Sequence, residues 1–330
     1  MTTTIAGLAI KPGSKISSSL SIGNRAASRV DVPFTIIRGA KDGPTFCVTA
    51  GVHGTEYAGI EGAIRVASKV KPEDLKGTLI IVPVVNVPAF EARTYVCPID
   101  GVNMQGSYPG KPDGTIAHLI AFRVFNEFVS KSNYYLDLHG GDIHESEIGF
   151  AAYFETGDSR IDAQSEQMAK ALGFEYVWRT SKEGPMPKGS TWRTGPESGI
   201  PSALAELSSG DRLLPEEVSE MFEGILNVMR QLRMLEGEPR KREGQKILDQ
   251  FTPLTVKHGG LFHAHVKLGD MVSEGDVLGE VTNLEGAVTD TVRAPTKGVV
   301  LILIHNPVVN PGDKTIYLGS TVKSGGWSYA

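Results

Sequence analysis

A histidine and a glutamate stand three positions apart in the segment GVHGTE, residues 51–56. Neutral imidazole and carboxylate are ligands that Zn²⁺ takes in proteins, and a catalytic zinc site combines three protein ligands with one open position for water. The glycines at 51 and 54 allow a tight backbone path that turns both side chains toward one ion. His53 and Glu56 are therefore predicted to bind zinc, with one ion per chain.

The third ligand is expected from another strand end, and the segment DLHGGD, residues 137–142, offers His139. If residues 134–138 form a strand, Asp137 and His139 share one face, so the carboxylate can lie beside the imidazole and hold it. An alternative without metal has His53 capping a helix, Glu56 in its first turn and His139 as a hydrogen-bonded loop residue.

A hydrolase of this kind also needs a base that takes a proton from water. Glu206 is a single charge within the small and apolar segment SALAELSSG, residues 202–210. An unpaired buried carboxylate is costly, so it is either paired in a salt bridge or retained for function. Glu206 is the candidate general base.

Apolar runs and helical spacing alternate along the first two thirds of the chain. Strands are predicted at 45–51, 78–85, 134–138, 148–154 and 202–207, and helices at 56–70, 115–129, 161–172 and 216–235. This alternation predicts an α/β fold with a mixed sheet and helices on both faces. Ligands of such sheets bind where the strands end at their carboxyl termini.

After a charged linker near 238–246, short β-branched segments separated by turns fill residues 250–322, which predicts a small all-β, barrel-like domain. The expected division is a hydrolase domain at 1–240, with roughly 30 N-terminal residues as a β extension, and a C-terminal β domain at 241–330.

Charge and composition exclude several classes of protein. A net charge of -5 supplies no broad positive field for a nucleic acid. No apolar stretch approaches the roughly 20 residues that span a bilayer, and the N-terminus lacks the features of a secretory signal. Two cysteines give no disulfide framework, so a reducing cytoplasm is expected.

Taken in order, GVHGTEYAG, NVPAFEART, PIDGVN, YPG, DLHGGD and ALAEL resemble the succinylglutamate desuccinylase and aspartoacylase family of zinc carboxypeptidase-like proteins. The sequence is most similar to the bacterial branch that includes the diaminobutyrate deacetylases of ectoine breakdown. The resemblance implies that His53, Glu56 and His139 bind zinc and that Glu206 is the base and proton shuttle. It also implies that the substrate is a small N-acyl amine or N-acyl amino acid.

Two arginines implied by the family pattern are missing. The one that would polarise the scissile carbonyl falls at Tyr95, and the one that would clamp a substrate carboxylate falls at Gly106, beside Gln105. Neither glycine nor glutamine can make the two parallel, charged hydrogen bonds that an arginine guanidinium makes to a carboxylate. Tyr95 is the candidate donor to the oxyanion, and Asn103, Gln105 and Gly106 are the candidate substrate-binding positions.

Two other arginines could replace the missing charge, and Arg93 is a candidate catalytic residue for that reason. Arg93 lies two residues from Tyr95 and would share its side in an extended segment, although a surface position is an equal alternative. Arg193 is the second candidate, if the fold brings its charge to the substrate site.

The C-terminal β domain resembles a biotinyl or lipoyl domain, but the expected hairpin tip at 283–286 carries no lysine. It is expected to wall the active site or to support contacts in a homo-oligomer. His263, His265 and His305 are interpreted as structural residues.

The sequence thus predicts a zinc-dependent deacylase acting on carbon–nitrogen bonds other than peptide bonds. Two alternatives stay open. A carboxypeptidase would lack an anchor for a peptide terminus at Gly106, and a zinc-binding protein without catalysis would have little need of Glu206.

Overall fold

The computed structural model describes residues 3–184 and 188–321. Within them, the α-helices are α1 (Tyr57–Lys69), α2 (Val87–Ala92), α3 (Ile116–Glu127), α4 (Ser159–Ala171), α5 (Thr191–Glu197) and α6 (Pro215–Gln231). Short 3₁₀ helices occupy Pro72–Asp74, Met104–Gly106 and Val129–Lys131.

The strands belong to three sheets. They are β1 (Thr3–Ile5), β2 (Leu8–Ile10), β3 (Ser14–Asn24), β4 (Arg29–Arg38), β5 (Lys41–Ala50), β6 (Lys76–Val82), β7 (Tyr134–His139), β8 (Glu145–Glu155), β9 (Tyr176–Ser181), β10 (Ser202–Ser208), β11 (Lys246–Leu248), β12 (Gln250–Thr255), β13 (Gly260–Ala264), β14 (Met271–Val272), β15 (Val277–Thr282), β16 (Val288–Arg293), β17 (Gly298–Ile304), β18 (Val308–Val309) and β19 (Lys314–Ser320).

One large mixed sheet carries the site. Its main path runs β12-β19-β17-β8-β10-β7-β5-β6-β4-β3, and β9 pairs with β8 beside that path. Strands β6, β5, β7 and β10 are parallel to one another, whereas β4 and β8 pair antiparallel on either side of them. The predicted mixed α/β sheet is confirmed.

Side-chain alternation along the central strands divides the core between the two faces of this sheet. Phe46, Val48 and Ala50 of β5 pack in a core with α1, α4 and α6, whereas Cys47 packs in a second core with α3. Helices therefore cover both faces, as the sequence predicted. In β7, Leu136 and Leu138 pack in the first core, so Asp137 and His139 lie on the opposite face with Tyr135, which packs in the core of α3.

The C-terminal strands both extend the main sheet and form a smaller one. β17 pairs with β8, β19 with β17 and β12 with β19, while β16, β15, β13 and β18 make a separate four-stranded sheet. Apolar residues of both groups share one core, including Phe262, Leu278 and Leu318. The region is all-β through residue 321, and the division at residue 240 stays a prediction.

The hairpin tip at 283–286 lies between β15 and β16 and holds no lysine. None of the helices in the described part of the chain has the length and apolar character needed to cross a membrane.

Candidate metal centre and catalytic cavity

The candidate ligands leave the ends of two neighbouring parallel strands. β5 ends at Ala50, which pairs with Leu138 of β7, so the segment after β5 lies beside His139. The chain turns there through Gly51, whose φ of 65° favours glycine. A Cβ at Gly54 would lie 2.2 Å from the backbone of Ala89, so only glycine fits that position. Both glycines are thus needed for the path that the sequence predicted.

His53, Glu56 and His139 meet in one buried group. One potential ligand atom from each lies within 4.8 Å of the others, and no other such group of three occurs among the described residues. His53 Nδ1 is 2.5 Å from Glu56 Oε1, and His139 Nδ1 is 3.0 Å from Glu56 Oε2. Each histidine thus directs its Nδ1 toward the centre of the group.

The outer nitrogens of the two histidines have partners of their own. His53 Nε2 lies 3.1 Å from Asn103 Oδ1, and His139 Nε2 lies 2.9 Å from Asp137 Oδ2. Thr49 Oγ1 donates to Asp137 Oδ1 over 2.6 Å, and Thr191 Oγ1 donates to Oδ2. These contacts fix the imidazole rings and leave each Nδ1 as the donor atom for an ion.

The electrostatics of the group suit a cation. Burial opposes ionisation of Glu56, but His53 and His139 bring its pKa below the ordinary value. Burial likewise opposes the charge on His139, yet Asp137 and Glu56 raise its pKa well above the ordinary value. Two imidazoles and one carboxylate are a donor set that Zn²⁺ takes in catalytic sites, so the residues fit that ion.

The metal-free alternative requires His53 to cap α1. The residue before the first turn of α1 is Glu56, and no side chain caps that helix end. His53 therefore does not act as a helix cap.

Glu206 of β10 lies directly opposite His139 of β7 in their parallel pairing. Burial raises the pKa of Glu206 to about 8, against the opposing influence of His139. The charged groups that act most on Glu206 are His139 and neighbouring carboxylates, and no lysine or arginine of the described residues is among them, which argues against the salt-bridge alternative. A neighbouring carboxyl, that of Glu147, hydrogen-bonds to it instead.

A β-bulge in β8 turns two further carboxylates toward Glu206. Phe150 pairs with Glu206, and Glu147 pairs with Ser208, so three residues of β8 oppose two of β10. The extra residue places Glu147 and Glu145 on the same face as Phe150, where strict alternation would put them on the opposite one. Burial raises the pKa of Glu145 to about 8 and that of Glu147 well above its ordinary value.

All these groups line one cavity of about 230 Å³. Its floor holds the His-Glu-His group and Glu206, and strands of the C-terminal region supply one wall, as expected for that region. The wall residues are Phe251, Pro253, Ile302, Lys314 and Tyr317. Phe150, Trp178, Trp192 and Leu204 complete the apolar lining.

Tyr95 lies against the metal group. Its ring stacks on that of His53, with centroids 3.9 Å apart and planes 20° apart. Burial, followed by the charge of Glu56, raises the pKa of the Tyr95 hydroxyl well above its ordinary value, so it keeps its proton. The hydroxyl hydrogen-bonds with Asn103. The same asparagine contacts His53 Nε2, so it connects the two side chains.

Of the three predicted substrate-binding positions, one lines the cavity and two do not. Gln105 lines the cavity, and its buried Oε1 has no hydrogen-bond partner among the described residues. Asn103 is exposed and reaches the site only through His53 and Tyr95. Gly106 is exposed outside the cavity lining, and nothing lies within 4 Å of a Cβ built there.

The expectation for Arg93 is wrong in its geometry. The segment is not extended there, because α2 ends at Ala92 and Arg93 takes a left-handed conformation with φ 56°. Its side chain is exposed and does not line the cavity. Arg193 is buried in α5, where it pairs with Glu197 and packs over Phe154, so it does not supply the missing charge either.

Lys314 of β19 lines the cavity, although nothing in the sequence indicates that position. Apart from the histidines, no other basic residue of the described chain lines the cavity. Glu145 and Glu147 were missed too. Their one sequence signal was the spacing of two charges at i and i+2 directly before an apolar strand.

The histidines outside the cavity make contacts of a structural kind. His305 Nε2 lies 2.9 Å from the carbonyl oxygen of Ile143, which holds the loop before β8. His263 Nε2 lies 3.0 Å from Thr282 Oγ1, and His265 lies 3.8 Å from Glu280.

A mixed α/β sheet brings a His-Glu-His group and the half-buried Glu206 into one cavity, an arrangement suited to metal-assisted hydrolysis. Residues 42–232 match the sequence model described as the succinylglutamate desuccinylase/aspartoacylase catalytic domain. The chain belongs to this family, which places it among the amidohydrolases that remove acyl groups.

The chain is also similar to individual proteins over most of its length. The N-alpha-acetyl-L-2,4-diaminobutyric acid deacetylase of Halomonas elongata is 31% identical over 302 residues, which cover 89% of this chain and 87% of that protein. The product-bound structure of the ectoine utilization protein EutE from Ruegeria pomeroyi has a TM-score of 0.87 and 27% identity, over 97% of this chain and 98% of that one. A succinylglutamate desuccinylase from a Silicibacter species has a TM-score of 0.85 and 25% identity, with the same coverage.

Proposed function

We propose that this protein is a zinc-dependent deacylase that hydrolyses the amide bond of a small N-acylated amino compound. The observation that carries the proposal is the position of Glu206, which faces the cavity opposite His139 and beside the His-Glu-His group. The Halomonas relative acts on N-alpha-acetyl-2,4-diaminobutyrate, so N-acetylated amino acids of that size are the first substrates to test.

His53, Glu56 and His139 would hold the metal through two Nδ1 atoms and one carboxylate. A Zn²⁺ ion bound there would supply Lewis-acid activation of a water molecule and of the acyl carbonyl. Asp137 and Asn103 orient the two imidazoles through their Nε2 atoms, which keeps the ligand atoms in place.

Proton transfer is assigned to Glu206. Its carboxylate accepts a proton from the attacking water and returns it to the nitrogen of the departing amine. A raised pKa suits this exchange, because a general base works best when its pKa is near the working pH. The hydroxyl of Tyr95 keeps its proton and is the candidate hydrogen-bond donor to the negative charge that develops on the acyl carbonyl oxygen when water attacks the carbon.

The cavity favours small substrates over peptides. At about 230 Å³ it is slightly below the usual range of roughly 300–1,000 Å³ for sites that hold drug-sized ligands. The strands β12, β17 and β19 form one side of it. Because Gly106 also offers no charge for a peptide carboxylate, the geometry supports a deacylase more than a carboxypeptidase.

The proposal is tested by assaying the zinc-loaded protein against N-acetyl and N-succinyl amino acids and against dipeptides. Release of amine from one N-acyl compound, with dipeptides hydrolysed far more slowly, is the expected result. A His53→Ala protein prepared in parallel controls for contaminating hydrolases. Binding of these compounds without turnover by the wild type would favour the non-catalytic alternative.

A further inference from the structure

Glu147 is a buried carboxyl group that the mechanism above does not use. Its side chain lines the catalytic cavity beside Glu206 and is only 6% exposed. Apart from the carboxyl of Glu206, no group of the described residues offers a hydrogen bond to its Oε2. An ionised carboxylate is far more costly to bury in this way than a neutral carboxyl. Burial therefore favours a Glu147 side chain that keeps its proton.

The two strands that flank Glu147 give it no positive charge. On one side β10 brings Glu206, which hydrogen-bonds to Glu147, and on the other side β17 brings the apolar Ile302, which pairs with it. Burial and the charges of Glu206, Glu145 and Glu56 all raise the pKa of Glu147. No lysine or arginine of the described residues is among the groups that act most on it. The electrostatics of the position therefore agree with its burial.

Glu206 differs from Glu147 because it lies beside the metal group. Burial raises the pKa of Glu206, but His139 and the hydrogen bond from Glu147 oppose that effect. A metal ion at the His-Glu-His group would favour the ionised form of Glu206 further. Two carboxyl groups in hydrogen-bond contact cannot both be ionised without strong repulsion, so one proton stays in the pair. That proton belongs on Glu147, which leaves Glu206 as the carboxylate.

The β-bulge in β8 brings the two carboxyl groups together. Phe150 pairs with Glu206, and strict alternation would then place Ile148 opposite Ser208. The bulge places Glu147 there instead. Bulges are over-represented beside active sites, where they redirect a side chain. A regular strand would present an apolar side chain to Glu206, so the hydrogen bond depends on the bulge.

From these contacts we propose that Glu147 is a positioning residue: its carboxyl group keeps a proton and donates a hydrogen bond to the carboxylate of Glu206, which holds that base toward the metal group. Glu147 does not take part in the proton transfer itself. Glu206 accepts the proton of the attacking water and passes it to the amine, while the proton of Glu147 stays in place. The catalytic role rests on the deacylase function proposed above, whereas the carboxyl pair does not depend on it.

Two substitutions separate the donated hydrogen bond from the other properties of Glu147. Glu147→Gln keeps a donor in a side chain of the same shape, whereas Glu147→Met keeps the length without a donor. With an N-acetyl amino acid that the wild type hydrolyses, we expect Glu147→Gln to keep kcat within roughly threefold of the wild type. Glu147→Met should lower kcat by roughly 10- to 100-fold, as for a lost hydrogen bond to a charged group, with KM nearly unchanged.

Glu155→Met is the matched control, because Glu155 lies at the far end of β8 outside the cavity lining, and it should leave kcat unchanged. The Tm of Glu147→Met should not fall, since apolar atoms replace a buried polar group that lacks a full set of partners. A loss of kcat in a protein of unchanged Tm therefore does not arise from misfolding.

Three kinetic results would contradict the proposal. If Glu147→Gln loses as much kcat as Glu147→Met, the reaction needs a negative charge at this position and not a donated hydrogen bond. If KM rises while kcat is kept, Glu147 contacts the substrate instead of positioning the base. If Glu147→Met keeps the wild-type kcat, Glu206 needs no partner.

Infrared spectroscopy of the zinc-loaded protein tests the carboxyl pair without turnover. At about pH 9 an ordinary glutamate is ionised, and so are most of Glu145 and Glu206, whose pKa values are raised to about 8. A carboxylic acid C=O band that the wild type shows at this pH and Glu147→Gln lacks therefore belongs to Glu147. We expect this band, and we expect Glu206→Gln to shift or remove it, because the partner changes from a carboxylate to an amide.

That infrared result supports the pair even if no N-acyl compound is hydrolysed, and in that case the proposed function fails alone. A wild type without the band would show that Glu147 is ionised, and a band that Glu206→Gln leaves unchanged would show that the two groups are not in contact. Either result would overturn the inference whatever the activity.

Discussion

Glu206 and His139 are direct neighbours in the parallel pairing of β10 with β7, and both side chains face the same cavity. This pairing brings a candidate base to a candidate metal ligand although 66 residues, from 140 to 205, separate them in the sequence. Parallel strands that end at one edge of a sheet make such meetings of distant residues possible.

Replacing Glu206 by glutamine should greatly reduce turnover while leaving the metal in place. The amide keeps the shape of the side chain but cannot accept the proton, so kcat should fall by roughly 10²- to 10⁴-fold. Kinetics and metal analysis on the same preparation measure both effects. Wild-type activity in Glu206→Gln would remove Glu206 from the mechanism.

Replacing His139 by alanine should sharply reduce the bound zinc, because two ligands hold the ion far less well than three. Asp137→Asn is a milder change, since Asp137 supports His139 only through Nε2. It should weaken zinc affinity by roughly 10- to 100-fold, as is typical for a partner of a ligating histidine. Competition with a chelator measures both, and full zinc content in His139→Ala would exclude that residue as a ligand.

A substrate whose carboxylate lies beside Lys314 should have a kcat/KM only slightly higher than that of the matched carboxamide. Lys314 is exposed, so its charge is partly screened, and Lys314→Met should lower the carboxylate to carboxamide ratio of kcat/KM by up to about fivefold. Arg93→Met is the matched control and should leave the ratio unchanged, because Arg93 does not line the cavity. A strong carboxylate preference that disappears in Arg93→Met would show that the chain moves there to clamp the substrate.

The metal-free protein should lose stability as the pH rises from about 5 to 8. Burial and the nearby Asp142 raise the pKa of Glu145 from an ordinary value of 4.5 to about 8, so the folded state holds a proton that the unfolded state has released. Its contribution to stability is complete below 4.5 and is lost as the pH rises through 8. Glu145→Gln removes that loss, so its Tm at pH 8 should exceed that of the wild type by a few degrees.

Thermal unfolding of the two proteins across this pH range checks the prediction, with Glu91→Gln as an exposed control. Parallel Tm curves for wild type and Glu145→Gln would contradict it. Added zinc should reduce the difference, because a nearby cation favours the ionised carboxylate.

The sequence could predict the metal group because its residues stand at strand ends that are visible as apolar runs. His53 and Glu56 follow one such run, and His139 ends another. Strand order was not needed to propose that they meet, since parallel strands deliver their carboxyl ends to one edge.

The side of the cavity that Glu147, Phe251 and Tyr317 line could not be predicted in the same way. Glu147 faces the cavity because of a bulge that breaks the period of two, and the spacing of the two charges in β8 does not predict that bulge. Tyr317 and Phe251 reach the site only because β17 pairs with β8, a contact between strands more than 140 residues apart. The expected position of Arg93 depends on an extended segment, whereas the short helix α2 ends directly before that residue.

The most direct test of the central claim is a titration of the metal-free protein with Zn²⁺ while amine release from N-alpha-acetyl-2,4-diaminobutyrate and other N-acetyl amino acids is followed. We predict no turnover before metal is added and a rise that ends at about one ion per chain, the stoichiometry of a site with three protein ligands. Full activity in the metal-free protein, or a rise in His139→Ala that ends at the same point, would contradict the assignment of His53, Glu56 and His139 as the catalytic metal site.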